Sequence, residues 1–109
     1  MAIQFTLEGQ EFVALNGPDF KFTEAISFYV NCNTQKELDR YWEKLSKGGK
    51  KGPCGWLKDK YGISWQIVPS MIQKLISNKD ARKVSRVMQA VMKMKKLDID
   101  KLKRAYNQK

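Results

Sequence analysis

Histidine is absent from this 109-residue chain. With it go the commonest general base and the commonest zinc ligand, and so most hydrolytic and metal-dependent mechanisms that rely on imidazole. Cysteine occurs only at Cys32 and Cys54, with 21 residues between them. With no secretory signal the pair reads as two reduced thiols, packed or half-buried, and neither has metal-ligand spacing around it. No apolar run approaches the roughly twenty residues that a membrane span needs, and no signal peptide precedes the first strand, so a cytoplasmic protein is the expectation. Acidic residues are scarce in one half only. Residues 1–70 hold 9 Lys/Arg against 8 Asp/Glu, whereas residues 71–109 hold 12 against 3, so nearly all of the net charge of +10 lies on the C-terminal segment. Such a segment can steer anions or nucleic acid, or can simply be a solvated helical face.

What is present is concentrated between Gly52 and Pro69, where turn residues, two tryptophans and a β-branched run share eighteen positions. The stretch reads as a hairpin opened by Gly52-Pro53, turned at Lys60-Tyr61-Gly62 and closed by Pro69, because proline cannot donate to a strand ladder. Its second arm alternates: Ile63, Trp65 and Ile67 on one face, Ser64, Gln66 and Val68 on the other. A polar mid-strand face suits either the wall of a ligand cavity or an ordinary solvent-facing sheet.

Along the chain, Ile3, Phe5 and Leu7 alternate with polar residues and Glu11–Leu15 continues after Gly9, which predicts a hairpin turned near Glu8-Gly9-Gln10. Asn16-Gly-Pro-Asp19 is a dense breaker cluster, followed by an extended link through Phe20 and Phe22. Ala25–Cys32 predicts a strand with Ile26, Phe28, Val30 and Cys32 on one face and Ala25, Ser27, Tyr29 and Asn31 on the other. Thr34-Gln-Lys-Glu37 is a capping box, with the Glu37 carboxylate expected to reach back to the Thr34 N–H. It starts a helix whose stripe of Leu38, Tyr41, Trp42 and Leu45 is expected to pack on Ile26, Phe28 and Val30. The Gly/Lys loop at 46–53 lacks the Walker spacing and reads as a flexible turn, with a short strand near Lys50. Beyond Pro69 the pattern is helical: a turn or two at Met71–Ile76, a stripe of Ala81, Val84, Val87, Met88, Val91 and Met94, and a final short helix capped by Asp98. The methionines Met88, Met92 and Met94 suggest a docking surface or dimer contact.

Asn16-Gly-Pro-Asp-Phe-Lys-Phe22, Ala25-Ile-Ser-Phe-Tyr-Val30, Gly52-Pro-Cys-Gly-Trp-Leu-Lys-Asp59 and Gly62-Ile-Ser-Trp-Gln-Ile-Val-Pro69 together resemble the PhnB-like branch of the glyoxalase/bleomycin-resistance, or vicinal oxygen chelate, superfamily. Some members of that branch carry the label 3-demethylubiquinone 3-methyltransferase. The basic ending from Arg86 to Ile99 looks like the branch's C-terminal extension. No glycine-rich loop of the kind that seats a nucleotide-like methyl donor follows any strand. The resemblance implies an α+β fold: a βαβββ glyoxalase-like module with a curved mixed sheet over residues 25–69, preceded by the hairpin of an incomplete first module at 1–17 and followed by a basic helical extension at 71–109, all in one domain. It also implies a sheet-lined cavity. The metal-ligand positions of the superfamily fall near Ala25 and at Gln66, with nothing suitable around Val13–Leu15. Alanine cannot ligate and an amide oxygen is a weak substitute for glutamate, so no metal and no cofactor are expected. Because relatives begin with a further strand, helix and strand, either the open sheet edge is covered by another chain or this chain is a piece of a longer product. A homodimer, with strands exchanged in one version, is the expectation.

The candidate ligand-binding residues are therefore Ser27, Tyr29, Trp56, Lys58, Ser64 and Gln66, with the aromatics enclosing an organic ligand, Ser27, Ser64 and Gln66 hydrogen-bonding it and Lys58 offsetting an anion. Two alternatives stand beside this reading. One is an enzyme of the superfamily using Cys54, Tyr29 or Lys58, which no histidine could activate. The other is a nucleic-acid or anion binder acting through residues 71–109, disfavoured because basic helices with few exposed aromatics give only salt-sensitive affinity.

Overall fold

A computed structural model describes residues 1–17 and 20–108. Pro18 and Asp19 of the breaker cluster, and Lys109 of the extension, lie outside the described residues. The first element is the expected hairpin, β1 (Ala2–Leu7) antiparallel to β2 (Gln10–Leu15). Its two-residue turn places Glu8 and Gly9 at φ of 50° and 78°, the left-handed pair that matches the twist of the flanking strands. Phe5 and Phe12 stack across the ladder at 5.5 Å. Every residue of both strands except Phe12 is nonetheless exposed, and the molecule is elongated, 59 × 27 × 25 Å.

The remainder is a mixed α+β body in the βαβββ order expected: β3 (Ser27–Cys32), α1 (Gln35–Ser46), β4 (Lys50–Lys51), β5 (Trp56–Lys58) and β6 (Ser64–Pro69). The sheet order is β3-β6-β5-β4, parallel between β3 and β6 and antiparallel elsewhere. The strand begins at Ser27 rather than Ala25, because Thr23–Ile26 folds into a turn in which the Ala25 N–H donates to Thr23 Oγ1 and the Ile26 N–H to the Thr23 carbonyl.

Thr34 caps α1 by accepting from the Glu37 N–H at 3.1 Å, but the Glu37 carboxylate returns to the N–H of Asn33 rather than of Thr34. The helix stripe is buried as its spacing predicted, with Leu38 and Trp42 in the core. Its partners differ from the expectation. Ile26 is 75% exposed and Phe28 leans on Trp65 near the sheet edge, while the stripe joins Cys32, Leu57 and Ile67 with Val30 beside them. The reason is strand order. β3 is an edge strand, so a helix crossing the middle of the sheet covers β6 and β5 and leaves the start of β3 bare.

The β5–β6 turn is organised by Asp59. One carboxylate oxygen accepts the N–H groups of Tyr61 and Ile63, at 2.9 and 3.0 Å, and the other accepts the Trp65 indole N–H at 3.0 Å.

After Pro69 come α2 (Ile72–Ile76), α3 (Ala81–Met92) and α4 (Ile99–Asn107), with Asp80 and Asp98 as side-chain N-caps of α3 and α4. These helices and the segment before α4 complete the core rather than hang from it, since Ile72, Val87, Val91, Leu97 and Leu102 belong to the same buried cluster as Leu38 and Ile67. Met94, predicted as part of the helical stripe, lies outside the helix, because α3 ends at Met92 and residues 93–98 form a connecting segment. That segment is tied to the module. The Cys54 N–H donates to the Met94 carbonyl and the Gly55 N–H to that of Lys95, both at 2.8 Å. Gln35 donates to the Leu97 carbonyl and accepts from the Ile99 N–H, and Lys96 pairs with Asp39 at 3.0 Å. No described helix is long and apolar enough to cross a membrane.

Candidate functional site

The sheet has two faces, and the register sorts them. Leu57 and Ile67 turn towards α1, so their strand neighbours turn away from it. Across β3, β6 and β5 the pairings run Ser27–Ser64–Lys58 in one row and Tyr29–Gln66–Trp56 in the next. All six candidate residues therefore share the face opposite the helix, in two adjacent rows.

Within that face they divide. Trp56, Lys58 and Ser64 line a cavity of about 470 Å³, together with Glu24, Lys50, Lys51, Leu57 and the Gly52–Cys54 turn. Ser27, Tyr29 and Gln66 do not line it. The Gln66 amide donates to Ser27 Oγ at 2.9 Å, and Tyr29 is 44% exposed towards the sheet edge. Ser64 is different again: it is 1% exposed and its hydroxyl has no hydrogen-bond partner. A buried hydroxyl left unmet costs free energy that most proteins avoid.

Glu24 and Lys50 are among the cavity residues that the sequence reading does not name as candidates. Glu24 forms an ion pair with Lys58, and its carboxyl is held below the ordinary carboxylate range, first by the Lys58 hydrogen bond, then by its own backbone N–H and by the Lys58 charge. No local pattern links residues 34 positions apart, so only the fold could reveal the pair. Lys50 faces Lys58 directly across the β4–β5 ladder, a juxtaposition that depends on a two-residue strand. The rim is set by the Gly52–Gly55 turn, closed by the Gly52 N–H to the Trp56 carbonyl and the Trp56 N–H to the Pro53 carbonyl. This turn delays the first arm of the predicted hairpin until Trp56. It also forces Cys54 to φ 60°, a left-handed conformation that non-glycine residues rarely hold.

The two thiols are unlike. Cys54 is half-buried at the cavity rim. Cys32 is fully buried beneath α1, and burial, aided by the Glu37 charge, pushes its thiol up to about 11. Gln66, the residue at which the resemblance implies a metal position, has its amide engaged with Ser27, and no three His, Cys, Asp or Glu side chains come together among the described residues. A neutral amide and two serines do not make a donor set for a catalytic divalent cation.

A family model described as 3-demethylubiquinone-9 3-methyltransferase matches residues 1–68. The chain belongs to this family. Among solved structures, the PhnB protein from Bacillus cereus, which carries the same methyltransferase name, is 38% identical with a TM-score of 0.50. The likeness covers 63% of this chain and 64% of that one, so the chain spans less than two thirds of that relative's length. No curated protein matches. The family match stops at Val68, one residue before the end of β6, and so leaves out the helical extension that the cavity rim is bonded to.

Proposed function

We propose that this PhnB-like chain binds a small organic molecule in the cavity between the Gly52–Cys54 turn and the sheet, without a catalytic metal, and that it does so as a homodimer in the reducing cytoplasm. The observation that carries the first part is Ser64: a fully buried, unpartnered hydroxyl in the wall of a 470 Å³ cavity, a volume within the range of small-molecule sites. Trp56 supplies an apolar surface beside it, and a ligand oxygen or nitrogen satisfies the hydroxyl. Cys54 at the rim provides the test. Saturating 1-naphthamide, a flat neutral probe, should slow alkylation of Cys54 by iodoacetamide several-fold while the thermal unfolding curve shifts upward. An alkylation rate unchanged by this probe and by its carboxylate and phosphate analogues would remove the cavity reading.

The dimer is supported by the exposed apolar residues that run from Ile3, Phe5 and Leu7 through Phe20 and Phe22 to Ile26. Residues 1–17 carry two acidic and no basic side chains, so the hairpin of one copy is electrostatically suited to the basic body of another. Both the hairpin and β3 also have unpaired edges. Sedimentation of the purified chain checks this directly, and a monomer at all accessible concentrations would overturn it. Two free thiols accord with the reducing compartment.

A further inference from the structure

The cavity wall places like charges against each other. Lys50 and Lys58 are directly opposed across the β4–β5 ladder, an arrangement that destabilises a sheet unless an anion lies between or beside the pair. Lys51 is drawn away to Glu43, Nζ to Oε1 3.3 Å. Lys50 has no acidic partner among the described residues, and Lys58 has one, Glu24.

Glu24 is an unusual partner. It comes from neither strand nor helix but from the Thr23–Ile26 turn, and its side chain remains 61% exposed while its carboxylate reaches the cavity lining. Only local hydrogen bonds within that turn hold it. The carboxylate is therefore easy to displace, and water awaits it when it leaves. On the same row of the sheet as Lys58 lies Ser64 with its unmet hydroxyl, and the neighbouring surface is Trp56 and Pro53.

We propose that the ligand is an anion with a flat apolar body, its carboxylate or phosphate head displacing Glu24 from Lys58 and its body lying along Trp56. This rests on the ligand-binding reading above and adds the ligand's chemical class. Exchange of one anion for another keeps Lys58, whose side chain is 43% exposed, paired throughout. A neutral ligand of the same shape must leave the Lys58–Glu24 pair across the mouth or break it without replacement. The site therefore selects for charge as well as for shape, and Glu24 acts as an internal competitor that weakens every anionic ligand by the same mechanism. A phosphate, with a second charge, also engages Lys50, whereas a carboxylate engages Lys58 alone.

The test uses the full chain and three probes of one shape: 1-naphthoate, 1-naphthyl phosphate and the neutral 1-naphthamide, titrated by calorimetry and by protection of Cys54 from iodoacetamide. Glu24→Gln should tighten both anions about five- to tenfold and leave the amide unchanged, while Lys58→Gln should weaken both anions about tenfold. Lys50→Gln separates the heads: a selective loss for naphthyl phosphate assigns a phosphate-bearing ligand, and equal retention of both anions assigns a carboxylate. If the amide binds as tightly as naphthoate and neither Glu24→Gln nor Lys58→Gln changes the anions, the anionic class is overturned and the cavity reading survives. If none of the three probes protects Cys54, both fall. Should Lys58→Gln fail to fold by circular dichroism, Glu24→Gln alone decides, because a gain in affinity cannot arise from a damaged site.

Discussion

The hairpin of residues 2–15 and the body of residues 27–107 are both built on alternating strands, yet they differ in what the alternation accomplishes. In the body, the apolar faces of β5 and β6 meet a helix: Leu57 and Ile67 lie under Leu38 and Trp42, and all four are buried. In the hairpin, Ile3, Phe5 and Leu7 are as regularly placed and stay open to solvent. Main-chain pairing and a well-formed turn fix the register of a two-stranded ribbon, but they do not bury apolar surface, and an isolated hairpin is marginal in water. The two regions thus share a pattern and not a source of stability.

Substitutions can break this contrast, and the largest effect is expected in the connecting segment. Leu97→Ala removes a side chain that is 1% exposed and should destabilise the body by about 3 kcal/mol, typical of a buried leucine truncation; urea unfolding followed by far-ultraviolet circular dichroism measures it. A loss under about 1 kcal/mol would mean that the extension does not share the core. Next comes a pH effect. Because the Cys32 thiol is raised to about 11 in the fold from an ordinary value of 9.0, the unfolded chain releases its proton first as pH rises. The stabilisation is complete below pH 9 and is lost between about 9 and 11, with a size of roughly 2–3 kcal/mol. Cys32→Ala should flatten that part of the pH profile. The same burial makes Cys54 the thiol that reacts first with iodoacetamide in the native protein.

A smaller effect follows from Asp59→Ala, which leaves two backbone N–H groups and an indole N–H without their acceptor and should lower stability by about 2 kcal/mol. Thermal unfolding monitored by tryptophan fluorescence reports it, and Asp59→Asn should recover part of the loss. The smallest change is expected in the hairpin. Phe5→Ser should move the unfolding of the dilute chain by less than about 0.5 kcal/mol, while shifting the concentration at which the chain self-associates. If it unfolds the body instead, the hairpin packs on that body and the contrast disappears.

Much of this architecture was legible locally. The Glu8-Gly9 turn, the Thr34 cap, the Asp80 and Asp98 caps and the β5–β6 hairpin each depend on residues within a few positions of one another. The parity of Ser64 and Gln66, and that of Ser27 and Tyr29, is legible within each strand, whereas their common face with Trp56 and Lys58 follows from the register. What periodicity cannot supply is the identity of the opposite partner. It assigns the α1 stripe to Ile26, Phe28 and Val30, of which only Val30 packs against the core, whereas strand order gives the stripe Leu57 and Ile67. Charge counting likewise gives Arg86 no partner. In the fold its guanidinium donates to the carbonyls of Ala105 and Tyr106 at 2.9 and 3.1 Å, closing the end of α4, where terminal carbonyls otherwise lack partners. The Glu24–Lys58 pair belongs to the same class of fact, visible only once distant segments have met.

The hydrogen bonds from Cys54 and Gly55 to Met94 and Lys95 give the extension an architectural role. A β-carbon on Gly55 would sit 3.0 Å from the Ile67 carbonyl and 3.1 Å from Leu97 Cδ1, so the rim turn is wedged between the sheet and a residue beyond Val68, where the family match ends. A chain cut after β6 would lose both acceptors and the wedge, and Cys54 would have little reason to remain at φ 60°. The recognisable part of the sequence supplies the floor and the charges of the cavity, while its doorframe is hung from the part that the likeness leaves out.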